Sequence, residues 1–160
     1  MQTEPGVPAA VAERQRWMRT LALAPTTELD AAWRRLDPKP DVQAIRGPET
    51  GLVMVRARVD AGGDRFNLGE ATVSRATVRL HGGPLDTDVV GTSYLLGTDL
   101  EHARLAAVFD GLLADDSLRQ QLLADVVEPL EDARAERDEA RRVEARSTLV
   151  DFFTVSREHA

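Results

Sequence analysis

Arginine is the residue type with the clearest chemical potential in this sequence. Lys39 is the only lysine among the 20 basic residues, so the others are arginines, whose planar guanidinium groups bind carboxylates and phosphates. Arg56 and Arg58 lie two apart in one predicted strand, and Arg75 and Arg79 lie four apart in the next. If these strands pair in register, the four side chains share one sheet face. Such a face needs anions, which could be carboxylates of this chain, carboxylates of a partner or a polyphosphate ligand.

Two polar segments could present further hydrogen-bonding groups. Residues 46–55 and residues 65–73 each combine glycine with polar side chains, and each is predicted to be a turn that leads into a strand. Such turns could serve only to reverse the chain. Alternatively, they place functional groups on loops that a rigid sheet supports. The candidates are then Glu49, Thr50, Asn67 and Glu70.

The sequence lacks the patterns of several common active sites. A phosphate-binding loop that ends in Gly-Lys-Ser or Gly-Lys-Thr cannot exist, because Lys39 lies between two prolines. His81, His102 and His159 are far apart, and there is no cysteine, so a metal site formed by this chain alone is not expected. We therefore predict no catalytic residue, no metal and no bound cofactor for the chain by itself.

Length and charge limit the possible partners. The chain has 160 residues, enough for one domain, and 42% of them are hydrophobic, so it can form a core. Its 27 acidic residues outnumber the 20 basic ones and give a net charge of −7, which opposes broad contact with nucleic acid. No apolar run has the length of a signal peptide or a membrane span, so we expect a cytoplasmic protein that does not bind a membrane.

The elements that position these groups follow from the periodicity of the apolar residues. Residues 10–36 have helical spacing and contain two predicted helices, the first of which Pro25 ends. In residues 42–96 the period changes to two, with glycine-rich breaks at residues 61–64 and 81–84. Breaks this short connect antiparallel neighbours. We therefore predict an α+β fold with N-terminal helices and an antiparallel meander sheet.

A C-terminal helical region completes a single domain over residues 1–160. Residues 98–146 have helical spacing, with a predicted capping box at Thr98 and Glu101. Pro129 should kink or restart one of these helices, because proline cannot donate the backbone hydrogen bond that a helix interior requires.

The tail, residues 150–160, differs from the highly charged helix before it. Phe152 and Phe153 are two of only four phenylalanines in the chain. An apolar pair in this position predicts a docking segment that contacts a partner. The alternative, left open by the sequence, is that the tail folds back on the core of its own chain.

Several short motifs occur in a specific order and spacing over nearly the whole chain. They are Arg14-Gln15-Arg16-Trp17-Met18, residues 47–53, residues 66–70 with Arg75 and Arg79, Tyr94-Leu95-Leu96-Gly97, His102-Ala103 and residues 151–154. Together they resemble the PhnG family of the bacterial carbon–phosphorus lyase system. One departure is Thr98, because the family usually has an arginine before the aspartate that follows the Tyr-x-x-Gly segment. Any phosphate or interface role of that arginine does not carry over to this chain.

The resemblance implies a role within a complex that contains PhnH, PhnI and PhnJ. In that system the nucleosidase-like PhnI transfers methylphosphonate to the anomeric carbon of the ATP ribose and releases adenine, with PhnG as a required accessory subunit. ATP is then used by the complex, while this chain binds no cofactor. The resemblance to PhnG implies that this chain is an interface subunit. The residues that could contact a partner or a ligand are Glu49, Thr50, Asn67, Glu70, Arg56, Arg58, Arg75, Arg79, Tyr94, His102, Phe152 and Phe153.

Two other functions remain open from the sequence. The chain could be an independent phosphoryl- or ribosyl-transfer enzyme, in which the arginine face binds a triphosphate and Glu49 or Glu70 acts as the general base. It could also be a structural scaffold that never touches substrate.

Overall fold

Two helices begin the described part of the chain. The computed structural model describes residues 8–58 and 62–147. α1 spans Ala9–Leu23 and α2 spans Thr26–Arg35, which confirms the two predicted N-terminal helices. Pro25 lies between them in an extended conformation and precedes the first residue of α2. Because proline lacks a backbone N–H, it fits this position and ends the helical run before it.

Three antiparallel strands follow, side by side in the order in which they occur along the chain. β1 spans Asp41–Arg58, β2 spans Arg65–His81 and β3 spans Val89–Leu96, with β2 in the middle. The α+β class and the antiparallel meander are therefore confirmed. β1 and β2 have 18 and 17 residues, whereas β3 has 8 and pairs with only part of β2.

The two polar segments predicted as turns lie inside strands instead. Residues 46–55 belong to β1 and residues 65–73 to β2, so both turn predictions are wrong. Around Gly47 and Pro48 the pairing with β2 shifts, because β1 has an extra residue there, and Gly47 has a φ of 67°. This is a β-bulge, and an outer strand tolerates a proline at such a position because one side of it has no neighbouring strand.

Three further α-helices follow the sheet. α3 spans Leu100–Ala114, α4 spans Asp116–Leu122 and α5 spans Glu128–Ser147, and a π-helical turn over Leu123–Val127 joins the last two. The helical C-terminal region is therefore confirmed, and the irregularity expected at Pro129 occurs as the π turn just before it. Within the described ranges, no helix is long and apolar enough to cross a membrane.

The residue that caps α3 differs from the predicted one. Asp99, not Thr98, is the N-cap, and its carboxylate accepts a hydrogen bond from the backbone N–H of His102 at 2.9 Å. Asp99 also accepts one from the Thr26 hydroxyl at 2.7 Å. The His102 N–H, followed by Thr26, lowers the pKa of the Asp99 carboxyl. A carboxylate is the stronger acceptor at the positive end of a helix, which explains why the adjacent threonine does not cap it.

α3 lies at the centre of the core and packs against one face of the sheet. Phe109 is fully buried, in the same hydrophobic cluster as Val78 and Leu80 of β2. β3 approaches α3 so closely that a Cβ atom on Gly91 would lie 1.9 Å from the carbonyl oxygen of Ala107. Glycine is therefore required at position 91 for this packing distance.

One buried carboxylate connects α1, α3 and β3. Asp110 of α3 accepts hydrogen bonds from the Arg14 guanidinium at 3.1 and 2.7 Å and from the Trp17 indole at 2.9 Å. It also accepts one from the backbone N–H of Thr92 at 2.9 Å. These donors satisfy a charge that is otherwise unfavourable to bury, and the hydrogen bond from Asp110 raises the pKa of Arg14. Since Thr92 lies in β3, this network also covers the outer edge of that strand.

Charged side chains attach α5 to the N-terminal helices. Glu131 accepts hydrogen bonds from the Arg16 guanidinium, with one nitrogen at 3.0 Å, and from the Thr20 hydroxyl at 2.9 Å. Arg137 donates to Glu28 of α2 at 2.8 Å. The Arg16 hydrogen bonds, followed by that of Thr20, lower the pKa of the Glu131 carboxyl. The first half of α5 is therefore held by polar contacts to α1 and α2.

The β1–β2 hairpin extends beyond the rest of the sheet. The last pair between β2 and β3 joins Val73 and Leu96, so the earlier part of β2 pairs with β1 alone. We call the extension, residues 52–58 of β1 with residues 65–72 of β2, the arm. Most of its side chains are exposed, and it forms a two-stranded ribbon that continues the three-stranded sheet.

Candidate interaction surface

The sheet face opposite α3 carries a row of polar side chains that crosses all three strands. Glu49 of β1 pairs with Arg75 of β2, and Arg75 pairs with Tyr94 of β3. Residues at paired positions in neighbouring strands have their side chains on the same face. Tyr94 is 53% exposed, and no described helix covers this row. The row is therefore accessible to another molecule.

An ion-pair cluster lies at the centre of this face. The Arg75 Nε donates to Glu49 Oε1 at 2.8 Å, and the Arg46 Nε donates to the same oxygen at 2.7 Å. A second Arg75 nitrogen donates to the Tyr94 hydroxyl at 3.4 Å. We call Arg46, Glu49, Arg75 and Tyr94 the Glu49 cluster. With two guanidinium groups and one carboxylate, it has a net positive charge.

Hydrogen bonds within the Glu49 cluster favour the charged forms of Glu49 and Arg75. Those from Arg46 and then Arg75 lower the pKa of the Glu49 carboxyl, so Glu49 stays ionised near neutral pH. The hydrogen bond to Glu49 raises the pKa of Arg75. A carboxylate held in this way is a weaker proton acceptor than an ordinary glutamate. The cluster is therefore suited to charge recognition rather than to general base catalysis.

Arg79 extends the positive charge of the same face. It lies four residues after Arg75 in β2, between Gln43 of β1 and Val90 of β3, and it is exposed. Within the described residues, Arg79 has neither a hydrogen bond nor an ion pair through its side chain. Its guanidinium is therefore available to an external carboxylate or phosphate.

The four predicted face arginines are not brought together. Arg56 pairs with Asn67, and Arg58 is opposite Arg65, so both lie in the arm, far along the hairpin from Arg75. The prediction of one four-arginine face is therefore wrong. In an antiparallel hairpin, residues close to the turn pair with one another, which places the end of β1 against the start of β2.

The remaining polar candidates are distributed along the hairpin. Asn67 and Glu70 are exposed residues of the arm, and Glu70 is opposite Met54. Thr50 is exposed, next to Glu49 and opposite Ser74. Glu49 and Glu70 therefore do not form one site, although both belong to the same continuous ribbon.

His102 has a structural contact. Its ring Nε2 donates to the carbonyl oxygen of Leu21 at 2.8 Å, which connects the start of α3 to the end of α1. The side chain is half-buried and lies on the helical side of the sheet. His102 is therefore separated from the Glu49 cluster, and Phe152 and Phe153 lie outside the described residues.

Two grooves of the described structure lie away from the predicted residues. One groove of about 420 Å³ lies between α1 and α5, and a more apolar one of about 230 Å³ lies between α2 and α5. None of the described candidate residues lines either of them, whereas Tyr94 lines a smaller cavity of about 40 Å³ together with Met18 and Leu21. Within the described ranges, no group of three histidine or acidic side chains is placed to hold a metal ion.

Sequence reasoning missed the apolar character of the arm. Leu52 and Leu68 are each 64% exposed, and Met54 is 52% exposed. Leu68 follows a polar residue as in an ordinary half-buried strand, and Leu52 and Met54 alternate with valines, so the pattern does not predict this exposure. The signal in the sequence was a difference in length: the two segments that form β1 and β2 are long, whereas the segment that forms β3 is too short to cover all of β2.

The fold and this surface define an α+β protein with a one-layer sheet and a positively charged, uncovered sheet face. The chain belongs to the PhnG family, because the family described as "Phosphonate metabolism protein PhnG" matches residues 12–158. It is 50% identical over 153 residues to a protein of Rhizobium meliloti (strain 1021) named "Alpha-D-ribose 1-methylphosphonate 5-triphosphate synthase subunit PhnG". That alignment covers 93% of this chain and 92% of the relative, so the family resemblance seen in the motifs is confirmed.

Proposed function

We propose that this chain is the accessory subunit of a carbon–phosphorus lyase core complex in organic phosphonate catabolism. It supports transfer of methylphosphonate to the ribose of ATP, with release of adenine and formation of α-D-ribose 1-methylphosphonate 5-triphosphate. The observation that carries this proposal is the 50% identity, over nearly the whole of both chains, to a subunit of the synthase that makes this product. The cytoplasm is the compartment in which we expect the complex.

The partners in this proposal are PhnI, PhnH and PhnJ. The uncovered sheet face with the Glu49 cluster and Arg79 offers a surface for one of them, since a sheet with helices on only one side leaves its other side free for contact. Its net positive charge favours a partner surface with exposed carboxylates. ATP and methylphosphonate are substrates of the complex, and this chain binds no cofactor of its own.

The geometry supports this role over that of an independent transferase. A transferase would need several arginines around one phosphate chain and a carboxylate able to accept a proton. Arg56 and Arg58 are in the arm while Arg75 and Arg79 are on the sheet face, and Glu49 is already bound by two guanidinium groups. A purely structural scaffold is the remaining alternative, and loss of activity without loss of assembly on mutation of Arg75 and Arg79 would argue against it.

Co-expression with the genomic neighbours tests the proposal. We expect affinity-tagged chain to co-purify with the PhnI, PhnH and PhnJ homologues as a single species in size-exclusion chromatography. The matched control is the same set of partners expressed with the tag alone. A folded chain that always elutes alone, with no partner at any ratio, would refute the proposal.

A further inference from the structure

We propose that the arm is a docking element that binds an extended segment of a partner subunit as an added strand along the free edge of β2. This inference rests on the proposed function, because it requires the chain to assemble with other subunits. It adds the surface that is used, the conformation of the partner segment and its chemistry.

The first observation is the apolar surface of the arm. Leu52 and Leu68 are 64% exposed, Met54 is 52% exposed and Phe66 is 43% exposed. None of these side chains belongs to the hydrophobic core cluster. So much exposed apolar surface on a narrow ribbon is unfavourable in water and is typical of a surface that another protein covers. Burial of these side chains by a partner would therefore stabilise a complex, because the fold itself leaves them exposed.

The second observation is the backbone of β2 in the arm. β3 leaves the sheet at Gly97, whose N–H donates to the carbonyl oxygen of Thr72 at 2.9 Å. Before that point, residues 65–67 and 69–71 pair with β1 on one side and with no described strand on the other, and Leu68 is an extra residue between the two segments. In an antiparallel pair, alternate N–H and C=O groups point outwards, so this edge presents an unused ladder. An extended peptide can continue the sheet there, in the place where a longer β3 would have run.

The outer edge of β3 is less open to an added strand, because Asp110 already accepts a hydrogen bond from the Thr92 N–H. Both strands of the hairpin contain bulges, and the one in β2 has Leu68 as its extra residue. The bulge divides the free edge of β2 into residues 65–67 and residues 69–71, and an added strand pairs with these segments.

The third observation is charge. The arm contains three arginines and one glutamate, a net charge of +2 in a chain whose total is −7. Among the described residues, neither Arg56 nor Arg65 has an ion-pair partner through its side chain. Unpaired guanidinium groups beside an apolar ribbon favour an occupant with carboxylates at its margin. The occupant is therefore an extended partner segment with alternating apolar residues and flanking acidic residues.

Binding measurements on a matched pair of double variants test the proposal. The arm variant is Met54→Ser with Leu68→Ser, and the control is Val11→Ser with Val143→Ser, whose side chains are 46% and 57% exposed on helices. The probe is the purified complex of the remaining synthase subunits. We expect the arm variant to bind at least about tenfold more weakly and the control to bind within about twofold of the unmodified chain. Thermal melting of each isolated variant shows that both remain folded.

Hydrogen exchange distinguishes strand addition from simple side-chain contact. In the free chain, the outward amides of residues 65–71 should exchange rapidly. In the complex, they should exchange at least about tenfold more slowly, because a ladder hydrogen bond protects each of them. Unchanged exchange in residues 65–71, or equal binding by the arm variant and the control, would overturn the proposal while the unmodified chain still assembles.

Other occupants of the arm produce different results. A free chain that is dimeric, and that the arm variant makes monomeric, identifies a second copy as the occupant. Protection of residues 65–71 in the free chain that disappears when residues 148–160 are removed identifies the chain's own tail. Either result overturns the proposal but leaves the proposed function intact. Failure of the unmodified chain to bind the other subunits overturns both.

Discussion

Glu49 is shared by two arginines that come from different parts of the sheet. Arg46 precedes it in β1 across the bulge, and Arg75 lies opposite in β2. The bulge at Gly47 and Pro48 sets the distance between Arg46 and Glu49, so a local backbone irregularity places the second guanidinium. A turn or bulge needs its glycine and proline but does not need this carboxylate, which indicates that Glu49 has a role beyond the fold.

Replacing Glu49 with glutamine should affect the complex more than the fold. The Glu49→Gln variant keeps the shape of the side chain but leaves two adjacent guanidinium groups without their anion. We expect synthase activity of the assembled complex, measured as adenine release, to fall roughly fivefold or more, because misplaced arginines disturb a charged interface. The melting temperature of the isolated chain should hardly change, since exposed ion pairs contribute little to stability. Glu70→Gln in the arm should likewise leave the melting temperature of the isolated chain almost unchanged, because Glu70 is exposed.

Glu101 provides a matched control for this experiment. It pairs with Arg104 on the surface of α3, away from the sheet face, and Glu101→Gln should leave both activity and stability nearly unchanged. Lower stability of the Glu49→Gln chain with normal activity of its complex would show that Glu49 is a structural residue only.

The polar row was partly predictable at the level of single residues. The sequence singled out Glu49, Arg75 and Tyr94, and the structure brings these three together across the sheet. It also grouped Arg56 and Arg58 with Arg75, which the hairpin register separates. Residue types and spacing identify which groups can bind anions, but the distance between strands depends on where the turn lies, and a one-residue difference there changes every pair.

The contact between α3 and the sheet depends on Gly91. A methyl group at this position would lie 1.9 Å from the Ala107 carbonyl oxygen and 2.4 Å from the Gly111 nitrogen, so α3 would have to move. We expect Gly91→Ala to lower the free energy of unfolding by about 1–3 kcal/mol or more. Chemical denaturation of the isolated chain measures this change.

Gly51→Ala is the control for the Gly91 variant. Gly51 also lies in a strand, but a Cβ atom there would have no neighbour within 4 Å. The free energy of unfolding of the Gly51→Ala chain should change by no more than about 0.5 kcal/mol. Equal effects of the two substitutions would show that close packing of β3 on α3 does not limit stability.

Acidification should loosen the attachment of α5 to α1. The pKa of Glu131 is below its ordinary value of 4.5 in the folded chain, because Arg16 and Thr20 hydrogen bond to the carboxylate. The folded state then binds fewer protons than the unfolded state. The stabilisation by ionised Glu131 is therefore complete above the ordinary pKa of glutamate, and it is lost as the pH falls through the pKa of the folded state. We expect the melting temperature to fall between about pH 5 and pH 3, and to fall less in Glu131→Gln.

A second glutamate of α5 controls for general acid effects. Glu139 is exposed and lies 3.5 Å from Arg142 in a pair that solvent screens. Glu139→Gln should retain the acid sensitivity of the unmodified chain. Identical melting curves for the unmodified chain and Glu131→Gln at both ends of the pH range would contradict the assignment.

The elements themselves were largely predictable, whereas their junctions were not. Helical periodicity predicted the N-terminal and C-terminal helices, and the change to period two predicted the antiparallel meander. The error at residues 46–55 arises because a bulge and a turn use the same residues: Gly47 has positive φ in either case, and only pairing with distant β2 decides between them. The cap of α3 was misplaced by one residue, because Thr98 and Asp99 are adjacent and both are able to cap a helix.

In the described structure, the helices and the free surfaces lie on opposite sides of the sheet. Helices cover one face of the sheet and are attached through Asp110 and Glu131. No described element covers the other face or the outer edge of β2 in the arm, and both expose apolar and positively charged groups. This asymmetry is what a subunit requires when its partners bind to the sheet side.

Removal of the tail tests a contact that lies outside the described residues. Deletion of residues 150–160, or Phe152→Ala with Phe153→Ala, should weaken association with the other core subunits by about tenfold or more. Burial of each phenylalanine contributes about 1.5–3 kcal/mol, which is large for a tail but modest for a domain. The isolated variant should therefore still melt cooperatively. A variant that melts much earlier but assembles normally would show that the tail belongs to the core of its own chain.

Adenine release from ATP and methylphosphonate tests most directly whether this chain acts as an accessory subunit. Three samples are compared: the chain alone, the purified PhnI, PhnH and PhnJ homologues without it, and the reconstituted complex. We predict that only the complex releases adenine at a substantial rate and forms α-D-ribose 1-methylphosphonate 5-triphosphate. Adenine release by the chain alone, or an equal rate from its partners without it, would contradict an accessory role.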